Sequence, residues 1–291
     1  MYDVIIIGKG PAGISTALYT QRANLSTLVI GKDGGALEKT EKIENYYGFP
    51  NGISGRQLIE NGEEQAKNLG ISIIEEEVLE ISFDITFKII TTKNEYESKV
   101  VVIATGVNRV ILPIQGLKEY EGKGISYCAI CDGFFFRGKD VAVLGNGNYA
   151  IHEIEQLLPI VNSVTMLTNG KKAPELRSNK IKINEKEIRE FRGDTTVKEI
   201  SFKDDTTVPM SGIFIAEGTA SSIDFARKLG ARIENQKILV DERMQTNIQG
   251  LYAVGDCTGG LLQIAKAVGE GAIARDRNYS FLTNLKVVRD C

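Results

Sequence analysis

The chain has 291 residues, of which 42% are hydrophobic and 25% charged, so its composition is that of a globular protein of about two domains and excludes a disordered one. Its formal net charge of −3 gives no electrostatic case for nucleic acid as a partner, and no stretch reaches the roughly 20 apolar residues that a membrane span needs. The single histidine excludes a metal site built on three histidines.

The first predicted element is a buried parallel strand over residues 4–7, a β-branched run that leads into a glycine motif. The motif joins this strand to a predicted helix over residues 14–19, and a second strand is predicted over residues 28–30. The first glycine permits a tight turn, the second lets the backbone approach a pyrophosphate, and the third lets helix and strand pack closely. A glycine-rich turn without a ligand is the alternative. The pattern predicts a dinucleotide site at Gly8, Gly10, Pro11, Ala12 and Gly13.

A third buried strand is predicted over residues 100–103, which are all β-branched. Ala104, Thr105 and Gly106 follow it. Small residues at the end of a strand let the chain pass close to a cofactor, so we add these three to the predicted site.

Two cysteines separated by two residues, Cys128 and Cys131, precede the next predicted strand. This spacing suits a small disulfide that opens and closes, with the first cysteine exposed at a helix N-terminus. Asp132 can take up or give a proton as the thiols cycle, or it only forms a turn with the following glycine. A zinc site, which needs four ligands, and a buried inert pair are the alternatives for the two cysteines.

The cysteine count also indicates the compartment. Four cysteines are too few for a disulfide scaffold in a chain of this length, and Cys257 and Cys291 are isolated in the sequence. The first residues lack the basic start of a signal peptide. We therefore expect a reducing cytoplasm and no bound metal.

A second nucleotide-type unit begins in the middle of the chain. A strand is predicted over residues 140–144, a glycine-rich turn over 145–150, a helix over 151–158 and a further strand over 161–167. The turn has alanine in its third small position and a bulky Tyr149 beside it. The glycines here either bind a nucleotide or only preserve the fold of the turn.

The last predicted strand, over residues 250–254, ends in Gly255 and Asp256 and returns to the first unit. The Asp256 carboxylate can accept a hydrogen bond from a ribityl hydroxyl, or it caps the helix of the apolar run 261–268. The chain thus has two Rossmann-like strand–turn–helix units, and its last predicted strand belongs to the first of them. This arrangement predicts an α/β fold of two three-layer nucleotide-binding-type domains, one inserted in the other.

Together these features resemble the low-molecular-weight thioredoxin reductase family along nearly the whole chain. The cysteine motif in this setting is highly specific for the family. The segments that carry the resemblance are residues 8–13, 34–37, 43–50, 53–55, 104–106, 128–133, 240–246, 255–256 and 267–271.

The resemblance implies a homodimer with an FAD-binding domain of residues 1–112 and 244–291 and an inserted NADPH-domain-like unit of residues 113–243. Cys131 would lie against the flavin, Cys128 would attack the disulfide of thioredoxin, and Asp132 would handle the proton. Beside the glycine motifs, the family adds cofactor residues at Gly34, Gly35, Ala36, Leu37, Asn45, Gln263 and Ile264.

The chain departs from the family where NADPH would bind. The basic His-Arg-Arg signature after the second strand of the inserted unit is replaced by residues 167–170, Leu-Thr-Asn-Gly, and the later Ile-Gly and Pro-Asn segment is replaced by residues 216–222. Leu262 occupies the position where the family has an arginine before the flavin-side glutamine, and Ala36 occupies a position where the family has a glutamine. This pattern resembles the branch of the family that works without pyridine nucleotide, so ferredoxin is the predicted electron donor.

Charge is consistent with such a donor, because residues 171–192 contain eight basic and four acidic side chains. This basic segment could steer an acidic one-electron carrier, or it is only a solvated face. Three further functions remain open: an NADPH-dependent thioredoxin reductase with an atypical site, a flavin disulfide reductase of another partner, and a non-enzymatic FAD redox sensor.

Overall fold

The computed structural model describes residues 1–107, 112–175 and 181–274. The chain divides into two compact units, each with its own parallel sheet. The first unit comprises the described residues of Met1–Asn108 and Ser221–Cys291, and the second those of Arg109–Ala220. The predicted α/β class with two Rossmann-like units is confirmed. No helix in the described ranges is long and apolar enough to cross a membrane.

In each unit a glycine-rich turn joins a strand to a helix, as predicted from the sequence. The strands are β1 (Tyr2–Ile7), β2 (Thr27–Ile30), β3 (Ser72–Ile74), β4 (Val78–Phe83), β5 (Phe87–Thr91), β6 (Glu95–Ile103), β7 (Ile125–Ser126), β8 (Asp140–Leu144), β9 (Ser163–Leu167), β10 (Ile181–Asn184), β11 (Ile188–Gly193), β12 (Val197–Phe202), β13 (Thr207–Pro209), β14 (Gly212–Ile215), β15 (Ile233–Glu234), β16 (Lys237–Ile238) and β17 (Leu251–Ala253). The helices are α1 (Pro11–Arg22), α2 (Gly55–Asn68), α3 (Ala129–Asp132), α4 (Asn148–Leu157) and α5 (Ser222–Lys228), and we number the helical residues 264–274 as α6.

The sheet of the first unit has the order β3-β2-β1-β6-β5-β4, and β17 pairs with residues 101–103 of β6, beyond the residues of β6 that pair with β5. Strands β1, β2, β3, β6 and β17 are parallel, whereas β4 and β5 form an antiparallel meander with β6. Residues 4–7 and 100–103 are at most 2% exposed, as is typical of the central strands of a parallel sheet. The carboxyl ends of β1, β6 and β17 therefore lie at one edge.

Helix α1 packs closely on this sheet. It begins at Pro11, whose fixed φ suits the first helical position. A Cβ on Gly13 would lie 1.9 Å from the carbonyl oxygen of Gly8, so only glycine allows this approach. Ser15 of α1 donates a hydrogen bond of 2.7 Å to the carbonyl of Val268 in α6. This bond ties the C-terminal segment to the N-terminal one.

The second unit is built on a parallel sheet of order β10-β9-β8-β14-β7. A separate antiparallel sheet of β11, β12 and β13 follows β10 in the chain. Phe191, Ile200 and Phe202 of this second sheet are at most 2% exposed and share one apolar core with Ile213 of β14. The antiparallel sheet therefore packs against the parallel sheet of the same unit through this shared core.

The chain returns to the first unit earlier than the predicted boundary at residue 244. Residues 221–243 belong to the first unit. Helix α5 contacts β4 and the β15–β16 hairpin, and Ser222 donates a 3.1 Å hydrogen bond to the carbonyl of Gly106. The start of α5 is marked by a capping box between Ser221 and Asp224, a local signal that does not say which sheet the helix joins.

Candidate cofactor and disulfide sites

The first glycine motif forms a tight turn between β1 and α1. Gly8 has a φ of +114°, and a Cβ there would lie 2.4 Å from the carbonyl oxygen of Ala104. A Cβ on Gly10 would meet nothing within 4 Å, so space is open beside this backbone. No side chain of the described residues caps α1 at Gly10. The N–H groups of its first turn are thus available to an anion.

The segment after β6 lies against this turn. The carbonyl oxygen of Ala104 lies close to Gly8, and the N–H of Ala104 donates a hydrogen bond of 2.8 Å to the carbonyl of Ile7. The Oγ1 atom of Thr105 is buried and has no hydrogen-bond partner among the described residues. A buried hydroxyl without a partner costs roughly 1–3 kcal/mol, so a ligand at this position would satisfy it.

The segment after β17 reaches the same edge. Asp256 is partly buried in a 3-10 turn over Gly255–Thr258. A Cβ on Gly255, where φ is +82°, would lie 2.9 Å from Cβ of Ala12 at the start of α1. The N–H of Gly255 donates to the Glu270 carboxylate of α6 at 2.8 Å. The structure therefore brings the three predicted strand-end segments together.

The remaining predicted cofactor residues form two further groups in the first unit. Residues 34–37 enter a 3-10 turn packed on α2, where a Cβ on Gly55 would lie 1.8 Å from the carbonyl oxygen of Leu37. Asn45 donates a 2.8 Å hydrogen bond from its side-chain amide to Oε1 of Gln263, directly before Ile264 opens α6. Asn45 and Gln263, which are 218 positions apart, are therefore neighbours.

These features fit a dinucleotide such as FAD. The open backbone at Gly10, the uncapped first turn of α1 and the buried hydroxyl of Thr105 offer hydrogen-bond donors and space at one edge of the sheet. Asp33, the carboxylate nearest to the end of β2, instead accepts the N–H of Gly35 at 2.9 Å. Asp33 therefore supports this turn of the backbone.

Cys128 and Cys131 form a disulfide with a Cα–Cα distance of 5.3 Å. Cys128 caps the short helix α3, as expected, but it is only 1% exposed, whereas Cys131 is exposed. The prediction that the first cysteine is the exposed one is therefore wrong. The reason is packing, because α3 lies against α4 and turns the Cys128 side inward.

A hydrogen-bond chain connects Asp132 to the disulfide. The Ser126 hydroxyl donates to Oδ2 of Asp132 at 2.6 Å and accepts the N–H of Cys128 at 3.0 Å. The carboxylate is thereby oriented within the cysteine loop. Ser126 was missed in the sequence because a lone serine before a cysteine motif gives no local signal.

Glu153 is the second residue that sequence reasoning missed. It lies on α4, is 1% exposed, and accepts the N–H of Ala129 at 2.8 Å through Oε2. This amide is the first of α3, directly after Cys128. A hydrogen bond to a buried amide contributes about 0.5–1.5 kcal/mol, so Glu153 is placed to fix the orientation of the cysteine loop.

The glycine turn of the second unit is tightly enclosed. A Cβ on Gly145, where φ is +149°, would lie 2.1 Å from the carbonyl oxygen of Ala216. Tyr149 is only 1% exposed, so its ring belongs to the core of the unit. The glycines of this turn are thus explained by backbone packing alone.

The loop after β9, where a 2′-phosphate would be recognised, is engaged internally. Thr168 is fully buried and its hydroxyl donates to the carbonyl of Lys171. Oδ1 of Asn169 accepts the N–H of Ile188 at 2.8 Å. Neither side chain is basic, and both support the loop itself.

The predicted basic segment is largely paired in the described residues. Lys186 and Arg189 pair with Asp204 and Asp205, each at 2.7 Å, and Arg192 pairs with Glu190. Two further basic members, Arg177 and Lys180, lie outside the described residues.

Cys257 is buried in the first unit and is 1% exposed. Burial, with the nearby Glu270 carboxylate, raises the pKa of its thiol to about 12. Cys257 is therefore a neutral, inert thiol, while Cys291 lies outside the described residues.

Comparisons with known proteins show the family of the chain. The family described as pyridine nucleotide-disulphide oxidoreductase matches residues 2–271. A thioredoxin reductase of Listeria innocua is 35% identical over 305 residues, covering 98% of this chain and 95% of its own. The atypical thioredoxin reductase TRi from Desulfovibrio vulgaris Hildenborough superposes with a TM-score of 0.93 at 39% identity, covering 98% of this chain and 99% of that one. A ferredoxin-flavin thioredoxin reductase from Clostridium acetobutylicum gives a TM-score of 0.74 at 32% identity, covering 97% and 98%.

The cofactor of these flavoproteins is FAD, which fits the strand-end segments of the first unit. The second unit contains the Cys128–Cys131 disulfide. The chain is an FAD flavoprotein and belongs to the low-molecular-weight thioredoxin reductase family, within the pyridine nucleotide-disulphide oxidoreductases.

Proposed function

We propose that the chain reduces thioredoxin through FAD and the Cys128–Cys131 disulfide, with electrons from reduced ferredoxin rather than NADPH. The observation that carries the choice of donor is the loop after β9. Its residues Thr168 and Asn169 are engaged internally, and no basic side chain among residues 167–170 is present for a 2′-phosphate.

One relative supports this choice, and the description of a second names no donor. The similar structure from Clostridium acetobutylicum is described as a ferredoxin-flavin thioredoxin reductase, and the one from Desulfovibrio vulgaris Hildenborough as atypical. The latter has the same fold over nearly the whole length of both chains. We infer that this chain shares the donor class of the former.

In this proposal FAD is held by the segments after β1, β6 and β17, by residues 34–37, and by Asn45, Gln263 and Ile264. Bound FAD supplies the exchange between one-electron donors and two-electron disulfide chemistry. Two electrons and two protons open the Cys128–Cys131 bond, with Cys131 as the sulfur that receives the electrons. Asp132, held by Ser126, binds and releases a proton at the cysteine loop.

The second half-reaction is thiol–disulfide exchange. The Cys128 thiolate attacks one sulfur of the thioredoxin disulfide, which releases the other as a thiolate and leaves a mixed disulfide. Cys131 then attacks Cys128, so that reduced thioredoxin leaves and the Cys128–Cys131 disulfide forms again. The donor must be able to reduce thioredoxin, whose potential is about −270 mV.

An anaerobic titration tests the donor. The oxidised holoprotein is mixed first with NADPH and then, in a separate run, with reduced ferredoxin, while the flavin absorbance is followed. We expect bleaching with ferredoxin only, followed by the appearance of thioredoxin thiols when thioredoxin is added. Rapid bleaching by NADPH would establish an NADPH-dependent reductase with an atypical nucleotide site.

The titration also distinguishes a reductase of thioredoxin from a reductase of another protein and from a redox sensor. Flavin reduction without reduction of any cognate thioredoxin would indicate a different disulfide partner. Electron transfer to thioredoxin that survives Cys128→Ser would indicate that the cysteines only sense redox state. We also infer a cytoplasmic homodimer, which light scattering on the holoprotein tests through a mass of twice 31.9 kDa.

A further inference from the structure

The carboxyl edge of the second parallel sheet carries an ion pair between two segments that follow its strands. Strand β8 lies between β9 and β14, and all three are parallel, so the segments that follow them are neighbours. Lys171 follows β9 and Glu217 follows β14, and the two side chains form an ion pair. The pair therefore spans the end of β8, where the glycine turn leads into α4.

This is the place that a dinucleotide would occupy in a Rossmann-like unit. Such ligands lie across the carboxyl ends of the first strand and its neighbours, with the pyrophosphate at the N-terminus of the following helix. Here the turn is also joined to the β9 loop, because the Asn146 amide donates to the carbonyl of Lys172 at 3.3 Å. On the other side, a Cβ on Gly147 would lie 3.1 Å from the carbonyl oxygen of Gly218.

The Glu217 carboxylate is the unusual member of the pair. Its side chain is only 7% exposed, and Oε2 is buried without a hydrogen-bond partner among the described residues. Lys171 is 54% exposed, so the ammonium group is hydrated while the carboxylate is not. A buried carboxylate repels a second anion strongly, since solvent does not screen the two charges there. The pyrophosphate of a pyridine dinucleotide carries two negative charges, so Glu217 would repel it at this edge.

We propose that Glu217, held by Lys171, is the specificity-determining residue that excludes dinucleotides from the second unit. The proposal deepens the proposed function, because it names the group that closes the second unit to NADPH and NADH alike. It differs from the missing 2′-phosphate site, which would discriminate only against NADPH. The exclusion acts on the pyrophosphate and is electrostatic.

Binding of ADP-ribose to the holoprotein tests the idea, because this probe carries the pyrophosphate without the 2′-phosphate or the nicotinamide. Calorimetric titration compares the wild type with Glu217→Gln, which keeps the size of the side chain, and Glu217→Ala. Removing a repulsion of this kind at close range is expected to tighten binding by about tenfold or more. Glu187→Ala is the matched control, because Glu187 is an exposed acid of the same unit that pairs with Lys203.

Lys171→Met separates charge from bulk. If Glu217 acts through its charge, removing Lys171 leaves ADP-ribose binding as weak as in the wild type or weaker. A gain with Lys171→Met equal to that with Glu217→Gln would overturn the electrostatic assignment. Unchanged ADP-ribose affinity in Glu217→Gln and Glu217→Ala, with wild-type flavin content and Tm, would overturn the role of Glu217 altogether.

Failure of the proposal that ferredoxin is the donor gives a different result from failure of the proposal that Glu217 excludes dinucleotides. If NADPH bleaches the wild-type flavin and ADP-ribose binds the wild type tightly, both the donor and the exclusion are wrong. If NADPH leaves the wild-type flavin oxidised and the Glu217 variants gain nothing, only the exclusion is wrong. The two proposals are therefore distinguishable.

Discussion

At the scale of single residues, the two disulfide cysteines differ in exposure in a way that constrains their roles. Cys128 is 1% exposed, and Cys131 is exposed. The proposed attack by Cys128 therefore requires that reduction of the disulfide makes this sulfur accessible. If the oxidised geometry alone decided the roles, Cys131 would be the attacking residue.

A trapping experiment decides between these roles. The probe is a thioredoxin that retains only its attacking cysteine and carries thionitrobenzoate on it. We expect Cys131→Ser to form a stable mixed disulfide with it through Cys128, with release of thionitrobenzoate. Cys128→Ser is the matched control and should trap at least about tenfold less. The reverse ratio would assign the attack to Cys131.

Cys257 gives a prediction about pH and stability. Its thiol has a pKa of about 12 in the folded chain against an ordinary value of 9.0, because burial disfavours the thiolate. A raised pKa in the folded state contributes stability that is fully present below pH 9 and is lost as pH rises from 9 towards 12. The loss amounts to about 1.4 kcal/mol per pH unit within this window.

Urea unfolding at several pH values measures this contribution. The free energy of unfolding of the wild type should fall more steeply between about pH 9 and 11 than that of Cys257→Ala, which has no titrating thiol. Lysines and tyrosines titrate in both proteins, so the difference between the two slopes isolates Cys257. Parallel slopes would show that the thiol does not titrate differently on folding.

At the scale of elements, the contact between α3 and α4 is what positions the disulfide. Glu153 on α4 accepts the first amide of α3, and removing this acceptor leaves a buried N–H without a partner. We expect Glu153→Ala to lower the free energy of unfolding by about 1–3 kcal/mol and to speed reduction of the disulfide by a small thiol. Glu153→Gln keeps an acceptor and should retain most of the stability.

The control for this prediction is Glu155→Ala, an exposed acid on the same helix. It should change the free energy of unfolding by less than about 0.5 kcal/mol. A uniform loss of stability in all three variants, with unchanged reduction kinetics, would show that Glu153 does not act on the cysteine loop.

Elements with a strong local signal were predictable from the sequence, and elements defined by distant partners were not. Strand β8 is predicted with its bounds of Asp140–Leu144, because a short apolar run ends in a glycine turn. The β4–β5 meander and the sheet of β11, β12 and β13 were not predicted, since their pairing depends on register between strands. The return to the first unit at Ser221 was missed for the same reason.

The residues of the candidate site divide in the same way, into those with a local sequence signal and those defined by distant partners. The cysteine pair and each glycine motif are short runs of neighbouring residues, so the spacing within each run was enough to identify it. Thr105 was named for its small size, but its buried hydroxyl is visible only in three dimensions. Ser126, Glu153 and Glu217 act through partners that the sequence does not place beside them.

At the scale of the whole molecule, charge sets how the donor would approach. The chain has a net charge of −3, and residues 171–192 have a charge of +4 by themselves. In the structure, four acidic residues from outside this segment pair with its basic side chains: Glu199, Asp204, Asp205 and Glu217. They offset the charge of the described part of the segment, so this part does not present a strongly positive surface to an acidic carrier.

This neutralisation predicts that electron transfer from reduced ferredoxin depends weakly on salt. Electrostatic steering by a charged patch raises association rates by roughly 10–1,000-fold and is lost as ionic strength rises. Without such a patch, we expect the second-order rate of flavin reduction to change less than about threefold between low and high salt. Stopped-flow bleaching of the flavin at several salt concentrations measures this rate. A fall of about tenfold or more that is abolished by Lys186→Ala and Arg189→Ala together would show instead that the basic segment docks the donor despite its acidic partners.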